Sequence, residues 1–206
     1  MSRLPNDCFR RMYSRSADPW ELETRWYEQR KYAITLALLP DQRYRHAFEP
    51  GCSVGVLTEL LTQRCARVTA TDVAAAALQS ASRRLSAAVE RRQVTLLRAS
   101  VDDPWPPGPF DLLVLSEVGY YLTPNALREV LDRECPRLAS GATVIACHWR
   151  HPVDDYLMSG DDVNKVVAAT AGLYLIGSYR DTDVAIDVFD ASSGDSVAAR
   201  TGVPIS

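Results

Sequence analysis

The sequence has few lysines and no excess of basic charge. Lys31 and Lys165 are the two lysines among 23 basic residues, and 26 acidic residues give a formal net charge of -3. A chain of this kind lacks the excess positive field that holds a phosphate backbone. Nucleic acid is therefore not an expected partner.

Cysteine pairs and long apolar runs are also missing. The five cysteines are odd in number, scattered and never spaced as C-x-x-C, which favours neither a disulfide framework nor a zinc site. No apolar run approaches the roughly 20 residues that cross a bilayer, and the opening stretch MSRLPNDCFRRMYSRSADPW lacks the apolar core of a signal peptide. We therefore expect no metal, no membrane partner and a cytoplasmic protein of bacterial type.

Length and composition favour one domain. With 206 residues and 47% hydrophobic content, the chain can bury one good core but not comfortably two. The sequence predicts a mobile arm over 1–17, a single domain over 18–190 that begins with a helical lid at 18–40, and a disordered tail over 191–206. The lid helix would begin with Asp18 as its cap and Pro19 in its first turn.

Between these ends, short apolar runs alternate with helical ones, which is typical of a parallel sheet with helices on both faces. The apolar runs lie at about 46–49, 67–71, 94–98, 111–116 and 143–148. The fourth run is apolar throughout, which predicts a central strand. Two closely spaced runs at 174–179 and 184–189 predict a C-terminal antiparallel hairpin. The expected fold is α/β, with a mostly parallel seven-stranded sheet.

The first strand ends in a glycine-rich turn, E-P-G-C-S-V-G, from Glu49 to Gly55. A nucleotide-like cofactor approaches the backbone at such a turn, and a Cβ at Gly51 or Gly55 would block it. Asp72 closes the second strand, where a carboxylate can accept both ribose hydroxyls. The alternative is that the glycines only permit tight packing and Asp72 only caps the next helix. The occurrence of both features in one strand-turn-helix unit favours the cofactor.

The same turn discriminates between cofactors. A dinucleotide site usually carries G-x-G-x-x-G so that the pyrophosphate meets bare backbone, but Ser53 replaces the middle glycine here. Glu49 would repel a pyrophosphate and attract the ammonium and sulfonium of S-adenosyl-L-methionine (SAM). The residues therefore favour SAM, with S-adenosyl-L-homocysteine (SAH) as product. After the third strand, Ser100, Val101 and Asp102 could bind the adenine; the alternative there is a solvated loop.

Three motifs together resemble a known family. The string E-P-G-C-S-V-G, the aspartate that ends the second strand, and F-D-L-L-V-L-S-E-V-G-Y-Y-L from Phe110 to Leu122 resemble class I SAM-dependent methyltransferases. More narrowly, D-P-W from Asp18 followed by Y-E-Q-R-K from Tyr27 is similar to the NodS-like N-methyltransferases of nodulation-factor synthesis. The similarity extends over roughly 18–146.

This resemblance implies a Rossmann-like methyltransferase fold and a set of cofactor contacts. Residues at the ends of the first two strands would hold the methionine and ribose parts, and 100–102 the adenine. The N-terminal helix would close over the cofactor, with Trp20 and Tyr27 as apolar cover and Arg30 or Lys31 on the carboxylate. The alternative to this lid is a permanently docked helix whose aromatic residues fill core, and for Trp26 that role is favoured. The full predicted set is Trp20, Tyr27, Arg30, Lys31, Glu49, Gly51, Cys52, Gly55, Asp72, Val73, Ser100, Val101, Asp102, Ser116 and Glu117.

Polar and aromatic residues follow the fourth and fifth strands. Glu117 could bind an amine and draw its proton, while Tyr120 and Tyr121 could wall the methyl path; the alternatives are core tyrosines and a Glu117 on the adenine side. His148 is the candidate general base, because a neutral imidazole accepts a proton near neutral pH. A lone histidine at a strand end is also a common packing residue. A metal at His148 and His151 is not expected, because an irregular loop fixes ligands poorly.

Methyl transfer from a sulfonium needs little beyond alignment of donor and acceptor and exclusion of water. The sequence therefore favours methylation of an amino group on a small molecule, or on an amino-sugar, oligosaccharide or glycolipid-type acceptor. The alternatives are methylation of a hydroxyl with His148 as base, and a SAM-binding module without turnover. The residues do not name the acceptor.

Overall fold

Seven apolar runs form one sheet in the computed structural model, which describes residues 2–204. The strands are β1 (Tyr44–Pro50), β2 (Cys65–Asp72), β3 (Val94–Arg98), β4 (Leu112–Ser116), β5 (Thr143–Trp149), β6 (Tyr174–Arg180) and β7 (Val184–Asp190). Their order in the sheet is β3-β2-β1-β4-β5-β7-β6, and β7 runs antiparallel to both of its neighbours. The predicted mostly parallel sheet with a C-terminal antiparallel hairpin is confirmed.

Helices cover the sheet on both faces. They are α1 (Asn6–Arg15), α2 (Trp26–Ala37), α3 (Val56–Leu61), α4 (Ala75–Arg84), α5 (Ser86–Glu90), α6 (Pro124–Glu134), α7 (Gly160–Ala168) and α8 (Val197–Arg200), with short 3-10 turns at Gly119–Tyr121 and Cys135–Arg137. Among residues 2–204, no helix has the length and apolar character needed to cross a bilayer.

The central strand β4 is buried on both faces, as its unbroken apolar run predicts. Successive side chains of a strand point to opposite faces, so Leu113 and Leu115 pack into the core under α6 and α7. Leu112 and Val114 pack into the core that contains α3 and α4. The carboxyl end of β4 therefore lies at the centre of the sheet edge where the parallel strands end, between β1 and β5.

The start of the N-terminal helix is predicted wrongly. Asp18 does not cap a helix: its Oδ2 accepts a hydrogen bond from the Glu23 backbone N–H at 3.2 Å, within a set of turns. Glu21 adopts a left-handed conformation, with φ of 56°, which interrupts a helix. The helix α2 consequently begins at Trp26.

A helix also stands where the sequence predicts a mobile arm. In α1, Phe9 and Tyr13 face inward, and the Tyr13 hydroxyl lies 2.5 Å from Ser53 Oγ. The backbone ahead of α1 is tied to the turn after β4, because Leu4 N–H donates to Tyr121 O at 2.8 Å. Phe9, Met12 and Tyr13 have the i, i+3, i+4 spacing of an amphipathic helix, so the sequence contained a signal for α1. The mobility of this arm stays a prediction.

The predicted disordered tail contains the short helix α8 within its described part. Arg200 of this helix pairs with Asp190 at the end of β7, at 3.0 Å. Residues 1, 205 and 206 lie outside the described residues. The division of the chain into an arm, one domain and a tail stays a prediction.

Candidate active site

The carboxyl ends of β1, β2 and β4 border a cavity of about 360 Å³. Open α/β sheets bind ligands at this edge. Residues within 3–13, 20–32 and 99–101 and in the loop after β5 also line the cavity. Most predicted site residues line the cavity, namely Trp20, Tyr27, Lys31, Glu49, Gly51, Cys52, Asp72, Val73, Ser100, Val101, Ser116, Glu117, Tyr120 and Tyr121.

The turn after β1 brings bare backbone to the cavity. Gly51 has a φ of +77°, and a Cβ added there would lie 2.9 Å from Val118 Cγ2. A Cβ at Gly55 would lie 3.0 Å from Ala81 on α4, and Gly55 is not among the described residues that line the cavity. Both glycines therefore permit close packing of the protein, and Gly51 also lines the cavity. The approach of a cofactor to Gly51 stays a prediction.

Asp72 fastens two turns to each other at the cavity wall. Its Oδ2 accepts from the Ser53 backbone N–H at 3.0 Å, and its Oδ1 accepts from the Ala74 N–H at 2.8 Å. Burial raises the pKa of this carboxyl, and the backbone donors oppose that effect. Each carboxylate oxygen has a further lone pair, so Asp72 can hold the turns and still accept from a ligand.

Glu49 is a buried carboxyl without a cationic partner among its described contacts. It is 3% exposed, and Thr58 Oγ1 donates a 2.6 Å hydrogen bond to its Oε2. Burial raises its pKa to about 8, and the negative charge of Asp72 adds to the effect. Glu49 is therefore mostly protonated at neutral pH and would ionise next to a bound cation.

Glu117 follows β4 in a left-handed conformation, with φ of 56°, and both of its oxygens are occupied. Lys31 Nζ lies 2.7 Å from Oε1, while Oε2 accepts from the Tyr120 hydroxyl at 2.5 Å and from the Trp149 N–H at 3.0 Å. Burial opposes ionisation of this carboxyl, but the Lys31 ammonium outweighs it and lowers the pKa. Three donors already contact Glu117 and its lowered pKa makes it a weak base. Its predicted role in drawing a proton from an amine stays a prediction that these contacts do not favour.

The helix α2 presents Lys31 rather than Arg30 to the cavity. Lys31 is 2% exposed, and its Nζ lies 2.8 Å from Glu28 Oε2 as well as next to Glu117. Arg30 instead pairs with Asp181 at 2.8 Å, outside the cavity lining. The inward turn of Lys31 leaves Trp26 73% exposed, so the prediction that Trp26 fills core is wrong.

His148 is contradicted as a general base. It is completely buried and is absent from the described residues that line the cavity. Its Nε2 accepts from the Gly119 N–H at 3.2 Å, and its Nδ1 lies 2.9 Å from Asn164 Oδ1, a carbonyl oxygen that requires a proton on Nδ1. Burial lowers its pKa. The neutral imidazole therefore holds β5 against the turn after β4 and has no lone pair to offer. Among residues 2–204, no three metal-ligating side chains come together.

The loop after β3 places only two of the three predicted adenine contacts at the cavity. Ser100 and Val101 line the cavity, whereas Asp102 does not. Arg3 holds both polar side chains, with Nη1 2.8 Å from Ser100 Oγ and 3.2 Å from Asp102 Oδ1. The sequence contains no local signal for this ion pair, because 99 residues separate its partners.

Aromatic rings line the side of the cavity next to Glu117. Tyr120 stacks on Tyr156 with centroids 3.7 Å apart, and Tyr27 meets the edge of Trp149 at 5.1 Å. Phe9 packs on Tyr121 at 4.8 Å. Sequence reasoning missed Phe9, Glu28, Trp149 and Tyr156; for Glu28 the i, i+3 spacing to Lys31 was an available signal.

The chain is similar in sequence and in fold to known proteins. The model of the family Nodulation protein S (NodS) matches residues 6–154, well over half of the chain. The chain belongs to the NodS family. Curated relatives include Nodulation protein S of Bradyrhizobium diazoefficiens, 36% identical over 108 residues that cover 51% of this chain and 49% of the relative. Nodulation protein S of Sinorhizobium fredii is 34% identical over 106 residues, which cover 51% and 48% of the two chains. The chain thus spans about half the length of the curated relatives it matches.

Solved structures of similar fold include NodS proteins. N-methyltransferase NodS from Bradyrhizobium japonicum WM9, in complex with SAH, is 23% identical with a TM-score of 0.76, over 90% of this chain and 97% of that one. A candidate methyltransferase from Pseudomonas syringae is 32% identical with a TM-score of 0.68, over 81% of this chain and 99% of that one. The predicted class I, Rossmann-like methyltransferase fold and the NodS resemblance are both confirmed.

Proposed function

We propose that this NodS-family chain transfers a methyl group from SAM to an amino group of a small-molecule acceptor. The observation that carries the proposal is that Gly51 and the buried carboxyl of Asp72 line one cavity, with Asp72 Oδ2 accepting from the Ser53 N–H of the turn that contains Gly51. A nucleoside cofactor needs this combination, because its ribose hydroxyls need an acceptor and its chain needs room. The NodS structure that contains SAH supports the choice of cofactor.

The cavity residues fit SAM. Gly51 lines the cavity with backbone alone. Asp72 would accept the ribose hydroxyls, Glu49 would face the cationic end, and Lys31, which has three N–H donors, would use the one left over by its two carboxylate partners to bind the cofactor's carboxylate. When bound, SAM supplies a methyl group on an activated sulfonium. The residues of this chain then need only to align the acceptor and to exclude water.

Two segments that line the cavity would help to exclude water from it. Leu4 N–H donates to Tyr121 O at 2.8 Å, and Leu157 N–H donates to Tyr120 O at 2.9 Å. Both segments, which together form a roof over the cavity, are therefore attached to the same 3-10 turn after β4. The aromatic rings beneath this roof can hold an ammonium against their faces, which supports an amine acceptor, including an amino-sugar type. Hydroxyl methylation lacks its base, because the Gly119 N–H occupies the Nε2 lone pair of His148.

Formation of SAH with panels of amines and of alcohols tests the proposed function. We expect SAH and an N-methylated product with at least one amine, and none with the matched alcohols. Product with alcohols alone would replace N-methylation by O-methylation. Absence of product with both panels, despite SAM binding, would favour a binding module.

Binding of SAM should release a proton from Glu49. At pH 7 this carboxyl lies below its pKa of about 8 and is mostly protonated, so a bound cation lowers the pKa and displaces the proton. Affinity should therefore rise between about pH 6 and 7.5, where the cofactor's ammonium stays charged. Calorimetry in two buffers of different ionisation enthalpy measures the release. Glu49→Gln should abolish both effects, and a wild type that releases no proton would contradict this role.

The segment 18–32 should be less protected without SAH. A lid must open to exchange product for substrate, and local opening appears as faster hydrogen exchange. Hydrogen exchange with and without SAH checks this, with the buried β4 as the internal reference. Equal protection of 18–32 in both states would indicate a fixed helix and remove the gating role, but not the methyltransferase function.

A further inference from the structure

A buried cluster of two carboxylates and one ammonium lies at the cavity. Lys31 Nζ is 2.8 Å from Glu28 Oε2 and 2.7 Å from Glu117 Oε1. Glu28 is 7% exposed, and all three side chains line the cavity. We call these three residues the lysine cluster. When all three members are ionised, two carboxylates face one ammonium and the cluster has one uncompensated negative charge.

Excess charge in a buried cluster is costly, because desolvation is not balanced by a partner. The uncharged titratable groups packed around the cluster are Tyr27, Tyr32, Tyr120, Cys147 and His148. The nearby cation Arg25 also interacts with Glu28, but it is exposed and pairs with Glu21 at 2.7 Å. Burial raises the pKa of Tyr32 and of Cys147, so these groups stay uncharged. A proton or a cationic amine from the cavity would balance the cluster.

Glu28 is the member of the lysine cluster that can receive this charge. Glu117 is committed to Lys31, Tyr120 and the Trp149 N–H. The other buried carboxyls of the cavity, Glu49 and Asp72, lie at the ends of β1 and β2, where the proposed function already assigns them to the cofactor's cationic end and ribose. Burial raises the pKa of Glu28, which makes its carboxylate a stronger base than that of an exposed glutamate.

We propose that Glu28 accepts the proton that the acceptor's ammonium must lose before methyl transfer. This inference rests on the proposed function. The R–NH3+ group gives a proton to the Glu28 carboxylate, which leaves a lone pair on nitrogen. That lone pair forms the bond to the methyl carbon, the carbon–sulfur bond breaks with its electrons on sulfur, and the product is R–NH2+–CH3. Lys31 is a positioning residue that holds Glu28 beside Glu117, and the cluster passes from one excess negative charge to none.

Glu28→Gln tests the proposal in the full chain, with ethanolamine, benzylamine and D-glucosamine as acceptor probes. General bases contribute about 10²–10⁴-fold, so kcat should fall by about 100-fold or more with whichever probe the wild type methylates. SAH affinity, measured by calorimetry, should stay within about threefold of wild type. Glu28→Asp should recover part of kcat. The matched control is Glu129→Gln, the same chemical change on the exposed face of α6, which should leave kcat unchanged.

Thermal melting of the ligand-free protein supplies a readout that does not depend on activity. Because its pKa is raised in the folded state, Glu28 loses stabilising effect as the pH rises above about 4.5. The difference in melting temperature, Glu28→Gln minus wild type, should therefore increase as the pH rises from about 5 to about 8. If this difference instead decreases over the same range, Glu28 only forms a structural ion pair and the proposal is overturned.

The assays distinguish the methyltransferase function from the role of Glu28. A wild type that forms no SAH with any amine would overturn the proposed function. A wild type that methylates a probe, together with a Glu28→Gln variant that keeps the wild-type kcat and its pH dependence, would overturn the role of Glu28 alone.

Discussion

Replacing Asp72 with alanine should weaken SAM binding by about two orders of magnitude or more. The carboxylate would lose two charge-assisted hydrogen bonds to ribose, each worth about 1.5–3 kcal/mol, and about 1.4 kcal/mol corresponds to tenfold in affinity. The same change also frees the Ser53 and Ala74 N–H groups, which loosens the turn. Calorimetric titration with SAM measures the effect.

Two controls separate ribose binding from loss of the turn. Asp132→Ala makes the same change on the exposed face of α6 and should leave SAM affinity unchanged. Asp72→Asn keeps one acceptor oxygen and should fall between wild type and Asp72→Ala. If Asp72→Ala folds and binds SAM with wild-type affinity, Asp72 is not a cofactor contact.

Replacing Gly51 with valine should abolish measurable SAM binding. The new Cβ would lie 2.9 Å from Val118 Cγ2, at a backbone φ of +77°, and its methyl groups would occupy the place where the cofactor meets the turn. The strain of a left-handed non-glycine residue costs about 1–3 kcal/mol in addition. Calorimetry and melting temperature together describe both effects.

Gly172 offers a matched control for this strain. It has a φ of +81°, and no atom lies within 4 Å of an added Cβ. Gly172→Val should therefore lower the melting temperature but leave SAM affinity intact. Equal SAM affinity in Gly51→Val and Gly172→Val would show that the turn after β1 does not contact the cofactor.

Local patterns were sufficient to predict the sheet. The unbroken apolar run of β4 and the close spacing of β6 and β7 follow directly from strand periodicity and burial. The cap of α6 was also predictable, because Thr123 precedes Pro124 and its hydroxyl accepts from the Ala126 N–H. The glycine turn and Asp72 were recognisable because each has a strong local requirement.

Long-range contacts decided the cases that sequence reasoning missed. His148 looks like a free base in the sequence, but Gly119 and Asn164, from two other elements, occupy both of its nitrogens. Glu117 looks like a free carboxylate in the sequence, but Lys31 on α2 binds it in the structure. Partner choice of this kind depends on the packing of α2 and α7 against the sheet, which the chain's local periodicity does not encode.

Titration of the wild-type chain with SAM and, separately, with NADH tests the central assignment most directly. Glu49 and Ser53 at the turn, together with Asp72, lead us to expect one SAM bound per chain and no heat of binding with NADH. Tight NADH binding without SAM binding would contradict the assignment of this cavity to SAM.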